Sequence, residues 1–378
     1  MGKRVVLAMS GGVDSSVAAY LLREQGYDVI GLFMRTGATA GGEERRARTC
    51  CSASDAIDAQ NVADRLDIPF YALDFERDFA RVMDQFADEY AVGRTPNPCV
   101  MCNIWLKFGK LWSYGKQVQA DFVATGHYAR MARAADGTPR IARAIDRAKD
   151  QSYVLFGLDR VLLPHVLFPV GEFPKAQIRA LAREAGLPVH DKPDSQEICF
   201  VPGDDYLSFV RSRRPGLETS GMIVDEDGTV LAEHSGIEAF TIGQRRGLGI
   251  AVGAPRYVVR IEPLSKTVTV GQRSALERAG LEAAAMNWQG PAPTGPVRCL
   301  AQIRAQHRAV AATAEPQAGA SDRVRVWFDV PQPAVTPGQV VTLYQDDLVL
   351  GGGWIEHGLD PTRTAVPGSE HQPENARW

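Results

Sequence analysis

No stretch of this chain holds the roughly eighteen consecutive apolar residues that a bilayer-spanning helix needs. The apolar run after Lys3 and Arg4 is too short for a signal peptide and passes straight into glycines, and Val6 stands where a myristoylation signal wants Ser or Thr. A cytosolic protein without a membrane partner is expected. No charge sign dominates: 42 Lys and Arg against 45 Asp and Glu give a net charge of -3. With a pI near 6.2 there is no global nucleic-acid signature, and an RNA site must be a local patch. No internal repeat is present. Cysteine is scarce, and six in a chain of 378 residues read as catalytic, metal-binding or simply buried rather than as a disulfide framework. Beyond "CVMC" (99-102) no second Cys-x-x-Cys or His pair stands at usable spacing, which argues against a zinc ribbon. The "CVMC" pair itself can chelate a metal, close a disulfide or pass sulfur between atoms.

What is present points first to an α/β protein. "RVVLAM" (4-9), "VIGLFM" (29-34), "FYALDF" (70-75) and "DFVATGHY" (121-128) are short runs of the buried-strand type. Helical patterns separate them: Ala59, Val62, Ala63 and Leu66 follow Ser54, and Pro174 and Gly186 bracket a helix with Ile178, Leu181, Ala182 and Ala185 on one face. Alternation of this kind predicts a doubly wound parallel sheet, in a domain over residues 1-204. After the "RSRRPG" loop (211-216), two hairpins, 221-236 and 256-271, predict a small central β-rich domain over 205-280. Short alternating stretches predict a C-terminal β-barrel over 285-360, and a Pro-, Gly- and polar-rich tail over 361-378 is expected to be disordered.

"LAMSGGVDSSVAAYLL" (7-22) places Ser10, Gly11 and Gly12 between the first strand and a helix carrying Val17, Leu21 and Leu22. Glycines there let backbone N–H groups turn toward an anion, and the helix N-terminus adds its positive end. The loop lacks the Walker A lysine, so it suits holding pyrophosphate as a leaving group. The plainer alternative is a glycine turn in which Asp14 and Ser15 cap the helix. In "NPCVMCN" (97-103), Cys102 precedes Asn103 and the pattern Ile104, Phe108, Leu111, so it is expected at or just before a helix N-terminus, where the dipole favours thiolate. Cys199 lies in a segment bounded by Pro193 and Pro202, while Cys50, Cys51 and Cys299 read as small buried hydrophobes.

"SGGVDSS" (10-16) resembles the signature of the PP-loop ATP pyrophosphatases. Together with "TPNPCVMCN", "ATGHYAR" (124-130), "KDQSYVLF" (149-156), "DKPDSQEICFV" (191-201) and "FTIGQRRGLGI" (240-250), it resembles the bacterial tRNA-specific 2-thiouridylases over residues 3 to about 270. The resemblance implies a sulfurtransferase: ATP adenylates the C2 oxygen of the wobble uridine, U34, in tRNAs with Lys, Glu and Gln acceptors, pyrophosphate leaves, and sulfur then displaces AMP. It implies ATP contacts at Ser10, Gly11, Gly12, Val13, Asp14, Ser15, Ser16, Met34 and Gly126. Asp14 is the candidate carboxylate for Mg²⁺, with helix capping as its plainer role. Cys199 is implied as the persulfide and Cys102 as the nucleophile, with a disulfide between them as product is released. The donor would be a cysteine desulfurase or a sulfur-relay protein.

By the same resemblance, Asn97, Pro98 and Cys99 meet the target base, and His127, Lys149, Asp150, Gln151, Arg304, Ala305 and Gln339 contact tRNA. Taken alone, His127 reads as an ordinary structural histidine. Two departures stand out: Cys99 replaces the family's usual Asp, and Ala305, in "IRAQHR", replaces an aromatic that can stack on RNA. Cys99 also opens a second sulfur route, in which Cys99, Cys102 and Cys199 ligate three irons of a [4Fe-4S] cluster and the fourth iron binds the transferred sulfur. Arg211, Arg213, Arg214, Arg245 and Arg246 are candidates for the local basic patch, or for an ordinary solvated face. Two rival functions remain at this stage. A small-molecule amidating ligase would need an ammonia source, and no glutaminase nucleophile is visible. A non-enzymatic RNA-binding protein responsive to ATP or redox state needs no turnover at all.

Overall fold

The computed structural model describes residues 2–37, 53–194, 198–201, 203, 205–317 and 319–360. Cys50, Cys51, Pro202 and the tail over 361–378 lie outside the described residues. The apolar runs form β1 (Arg4–Ala8), β2 (Asp28–Arg35), β3 (Phe70–Asp74) and β4 (Phe122–Thr125). A hairpin of β5 (Ala129–Arg133) and β6 (Pro139–Arg143) then leaves the sheet, and β7 (Val166–Leu167) returns to it. The order is β3-β2-β1-β4-β7, every neighbouring pair parallel. The helices are α1 (Val13–Glu24), α2 (Ala53–Arg65), α3 (Glu76–Ala91), α4 (Pro98–Cys102), a π-helix (Asn103–Lys110), α5 (Leu111–Gln117), α6 (Lys175–Glu184) and α7 (Tyr206–Arg213).

Residues alternate across a strand, so β1 sends Val5 and Leu7 into one core and Val6 into another. The first core holds α1, α2 and α6 through Val17, Val62 and Ile178. The second holds Phe108 and Leu111 on the opposite face. The parallel sheet is thus covered on both sides, as the strand–helix alternation predicts.

Arg211, Ser212 and Arg213 lie in the last turn of α7, not in a loop. Asp205 caps that helix by accepting from Ser208 N at 3.1 Å, and the following Pro215 marks where it ends. The central sheet contains β8 (Gly221–Val224), β9 (Val230–His234), β10 (Tyr257–Glu262) and β11 (Thr267–Gly271) in the order β10-β11-β8-β9. Its two hairpins are joined by a parallel β11–β8 pairing.

Six further strands close a barrel: β12 (Glu277–Trp288), β13 (Val297–Gln302), β14 (Val310–Gln317), β15 (Ala320–Pro333), β16 (Val340–Gln345) and β17 (Leu348–Leu359). All their pairings are antiparallel, and β12 pairs with both β15 and β17. The strand that opens the barrel therefore starts at Glu277 and crosses the 280–285 interval in which the sequence places a domain boundary. The β5–β6 hairpin extends the barrel sheet through Leu348 and Ala142.

Candidate active site and its thiols

The strand order reverses direction between β1 and β4, and in such sheets a ligand crevice opens beyond the carboxyl ends of the strands at that point. A cavity of about 340 Å³ lies there. Its wall includes Met9 and Ser10 after β1, Leu32, Phe33 and Met34 of β2, Thr125 and Gly126 at the end of β4, and Gly12, Val13, Asp14 and Ser15 at the start of α1. Backbone approaches dictate two of the glycines. Gly11 has φ +71° and a Cβ there would stand 2.2 Å from the Asp55 carbonyl oxygen, while a Cβ on Gly126 would stand 2.6 Å from Ser15 N. Gly12 is the N-cap of α1 and no side chain caps the helix. Ser15 and Ser16 hydroxyls both donate to Gly12 O, at 3.2 and 2.8 Å. Neither Asp14 nor Ser15 is a cap, so the capping alternative fails and the first-turn N–H groups are left for an anion.

Charge reaches this loop from far along the chain. Asp14 Oδ1 accepts from Tyr128 Oη at 2.9 Å and from Lys175 Nζ at 2.7 Å. Lys175 Nζ also lies 2.8 Å from Asp194 Oδ1, and Asp194 is paired with Lys149 and Arg179, each at 2.9 Å. Burial would raise the Asp194 carboxyl, but the Lys175 and Lys149 ammonium groups outweigh it and hold it at about 2. Lys192 Nζ donates to Gly11 O at 3.0 Å, Asp55 Oδ1 at 2.6 Å and Asp58 Oδ2 at 2.5 Å. Burial opposes its charge, yet those carboxylates raise its pKa, and it remains an ammonium.

His127, on the cavity wall and 9% exposed, has Nδ1 2.8 Å from Thr125 Oγ1. Burial, with nearby Lys107 adding to it, pushes its pKa well below the usual histidine range, so the imidazole is neutral at physiological pH. Asp14 offers one carboxylate whose Oδ1 is engaged as above. That fits Mg²⁺, which commonly takes one or two protein carboxylates and completes its shell with substrate phosphates and water.

None of Cys99, Cys102 and Cys199 stands in the wall of this cavity. Cys99 is exposed; Cys102 and Cys199 are half-buried and both pack against one apolar cluster that includes Phe79, Phe86, Leu106 and Phe200. Met34 packs on the same cluster and also lines the cavity. Pro98 opens α4, its missing N–H being one that a first turn leaves unbonded anyway. Cys102 is therefore a full turn inside the helix rather than at its N-terminus, past the turn in which the dipole acts most strongly. A π-helix follows it directly, a distortion frequent at functional sites. Among the described residues no three His, Cys, Asp or Glu side chains converge on a common metal position. That bears on a single ion only: a [4Fe-4S] cluster takes each of its three thiolates on a different iron, and Cys99, Cys102 and Cys199 are the residues that would supply them.

Three family models match in tandem: the tRNA methyl transferase HUP domain over residues 3–203, the tRNA methyl transferase PRC-barrel domain over 208–272 and the aminomethyltransferase β-barrel domain over 278–355. The tRNA-specific 2-thiouridylase MnmA of Geotalea uraniireducens is 49% identical over 96% of this chain and 97% of its own. The enzymes of the same name from Rhodopirellula baltica (46% identical, 96% of this chain, 99% of theirs) and Clostridium perfringens (47%, 94% and 98%) are similar over nearly the same span. This chain belongs to the tRNA-specific 2-thiouridylase family.

The residues that resemblance to the 2-thiouridylases singles out are distributed unevenly. Ser10, Gly12, Val13, Asp14, Ser15, Met34, Gly126, His127, Lys149 and Gln151 line the cavity; Gly11 and the fully buried Ser16 shape the loop from behind. Asp150 is turned inward, accepting from Ala144 N at 3.0 Å and Ser152 Oγ at 2.9 Å. Asn97, Pro98 and Cys99 open α4 outside the cavity. In the barrel, Ala305 is exposed and its carbonyl accepts from Gln302 Nε2 at 3.1 Å, and Arg304 Nη1 donates to Pro333 O at 3.2 Å. Gln339 Nε2 instead donates to Thr95 O at 3.0 Å. Arg211, Arg213 and Arg214 are paired with Glu238, Asp84 and Asp88, which leaves Arg245 and Arg246 as the exposed basic pair of that group. Sequence reasoning missed Tyr128, Lys175, Lys192 and Asp194 as individual residues, although two of them stand inside the quoted "DKPDS".

Proposed function

We propose that the chain thiolates C2 of the wobble uridine of tRNA at the expense of ATP, and that the cavity beyond β1 and β4 receives the nucleotide. The observation that carries this reading is the adjacency of an uncapped phosphate loop, in a cavity also lined by Lys107, Lys149 and Lys192, to a cluster bearing two thiols, with Met34 belonging to both. Phe33 and Met34 offer an apolar wall to the adenine, and the α1 N–H groups face the phosphates. Asp14 would present a carboxylate to Mg²⁺, which when bound with ATP neutralises phosphate charge.

The uridine C2 oxygen attacks the α-phosphorus and the bond to pyrophosphate breaks, turning a poor leaving group into AMP. The terminal sulfur of a Cys199 persulfide attacks C2 and AMP departs, leaving uridine joined to Cys199 through a disulfide. Cys102 thiolate attacks the Cys199 sulfur, closes a Cys102–Cys199 disulfide and frees the thiocarbonyl. A thiol reductant reopens that disulfide, and a cysteine desulfurase or relay protein reloads Cys199. His127, neutral, can accept or donate one hydrogen bond beside the base without adding charge. Both thiol chemistry and a tRNA substrate suit a reducing cytoplasm, and no described helix is long and apolar enough to cross a membrane.

Product analysis tests the reading: AMP and pyrophosphate should appear in equal amounts, dependent on tRNA. Asp14→Ala should abolish both while the protein remains folded. ADP as the main tRNA-dependent product would overturn it.

A further inference from the structure

The segment that leads into α4 is held from outside by both β-domains. Thr95 N donates to Pro337 O at 2.9 Å, and Gln339 Nε2 donates to Thr95 O at 3.0 Å and Pro96 O at 3.3 Å. Thr95 Oγ1 donates to Thr241 Oγ1 of the central domain at 3.3 Å. Gly338 has φ +88°, and a Cβ there would stand 2.9 Å from both Thr95 N and Thr95 O, so the barrel turn lies flush against the segment. Beside the turn, Tyr153 Oη donates to Val340 O at 2.9 Å. At its start α4 lacks a side-chain cap, because Asn97 is the N-cap but makes no capping bond, and the helix runs on without a break into the π-helix and α5. The barrel turn thus fixes the entry to α4, while buried Val100 and Asn103, whose Nδ2 donates to Val154 O at 3.0 Å, hold the helix beyond it.

We propose that the turn Pro337–Gln339 is a clasp that positions Cys102 for sulfur transfer, and that Gln339 is a positioning residue for that step. Gln339 Nε2 serves both the Thr95 and Pro96 carbonyls, contacts that a residue serving RNA alone has no reason to make. The link to sulfur transfer rests on the proposed function; the link to Cys102 geometry does not.

The experiment uses the full chain with Gln339→Leu, Gln339→Glu and Gly338→Ala. Val326→Ala serves as control, since it weakens the buried barrel core elsewhere. Alkylation by iodoacetamide without ATP or tRNA is followed separately at Cys102 and at Cys99, the exposed neighbour that serves as internal reference. The clasp variants should raise the Cys102 to Cys99 rate ratio at least about threefold, and lower single-turnover thiolation at saturating tRNA about tenfold or more, the scale of a sub-ångström to ångström misplacement. ATP affinity should stay within about twofold, because the nucleotide loop is untouched. Should Gly338→Ala fail to fold, the two Gln339 variants carry the test, as they change no backbone strain. An unchanged ratio and unchanged turnover at saturating tRNA, with only tRNA affinity reduced, would make Gln339 an RNA contact and nothing more. Equal changes in Val326→Ala would likewise overturn the clasp. Failure of the wild-type protein to release AMP would contradict the function and leave the alkylation result standing.

Discussion

Lys192 sets three N–H donors against Gly11 O, Asp55 and Asp58, fixing the Gly11 carbonyl away from the first-turn amides of α1. No residue of the loop itself does this. The sequence shows the loop's glycines and serines because they are consecutive, and the thiols because cysteine is rare. The roles of Lys175 and of Lys192, though the latter stands in a quoted motif, are not legible there because the two side chains arrive from 161 and 181 residues away, and a lysine in a polar stretch looks like surface. Asp194 gives a pH test. Its carboxyl is held at about 2 against an ordinary 3.8, so its contribution to stability is complete above about pH 4 and fades as pH falls toward 2. After discounting for solvent screening, that contribution is about 1 kcal/mol. Asp194→Asn should cost about that much in urea unfolding at pH 6 and roughly half as much at pH 3, whereas a cost that does not vary with pH would contradict the pairing.

Strand β4 meets α1 through Gly126, whose hydrogen faces the Asp14–Ser15 backbone. A methyl there cannot be absorbed by a rotamer change, because the atoms it meets are main chain. Gly126→Ala should lose about 2–3 kcal/mol of stability and most ATP affinity, as read by denaturant unfolding and ATP titration, while wild-type values in both would mean the contact is soft. The parallel strands and the α2 and α6 helices were legible because their apolar periods are local. The β5–β6 hairpin was not, since its partner β17 lies some two hundred residues on and its own turn, Ala134 to Thr138, resembles any polar loop. The start of α4 was misplaced for a related reason: Pro98 reads as a lead-in until its role as first helical residue is seen.

The barrel is welded to the nucleotide domain. Val340, Tyr344 and Val349 share a core with Val6, Leu32 and Phe156. Arg130 and Arg147 both pair with Asp347, and Asn287 Nδ2 donates to Phe156 O at 2.7 Å. A chain ending at Leu276 should therefore be insoluble or far less stable than the whole, which should itself unfold cooperatively. A stable truncated protein with full ATP affinity would show the core to be separable. Composition could not reveal this union, because it is made by long-range contacts between segments that each look complete. The most direct test of the central claim is thiolation by iron-free protein. Protein purified without oxygen and stripped of iron is given ATP, tRNA and a persulfide donor, and 2-thiouridine, AMP and pyrophosphate are quantified. Wild type and Cys99→Asp should thiolate, while Cys102→Ser and Cys199→Ser should not. Thiolation only after cluster reconstitution, or thiolation by Cys199→Ser, would contradict the two-thiol relay.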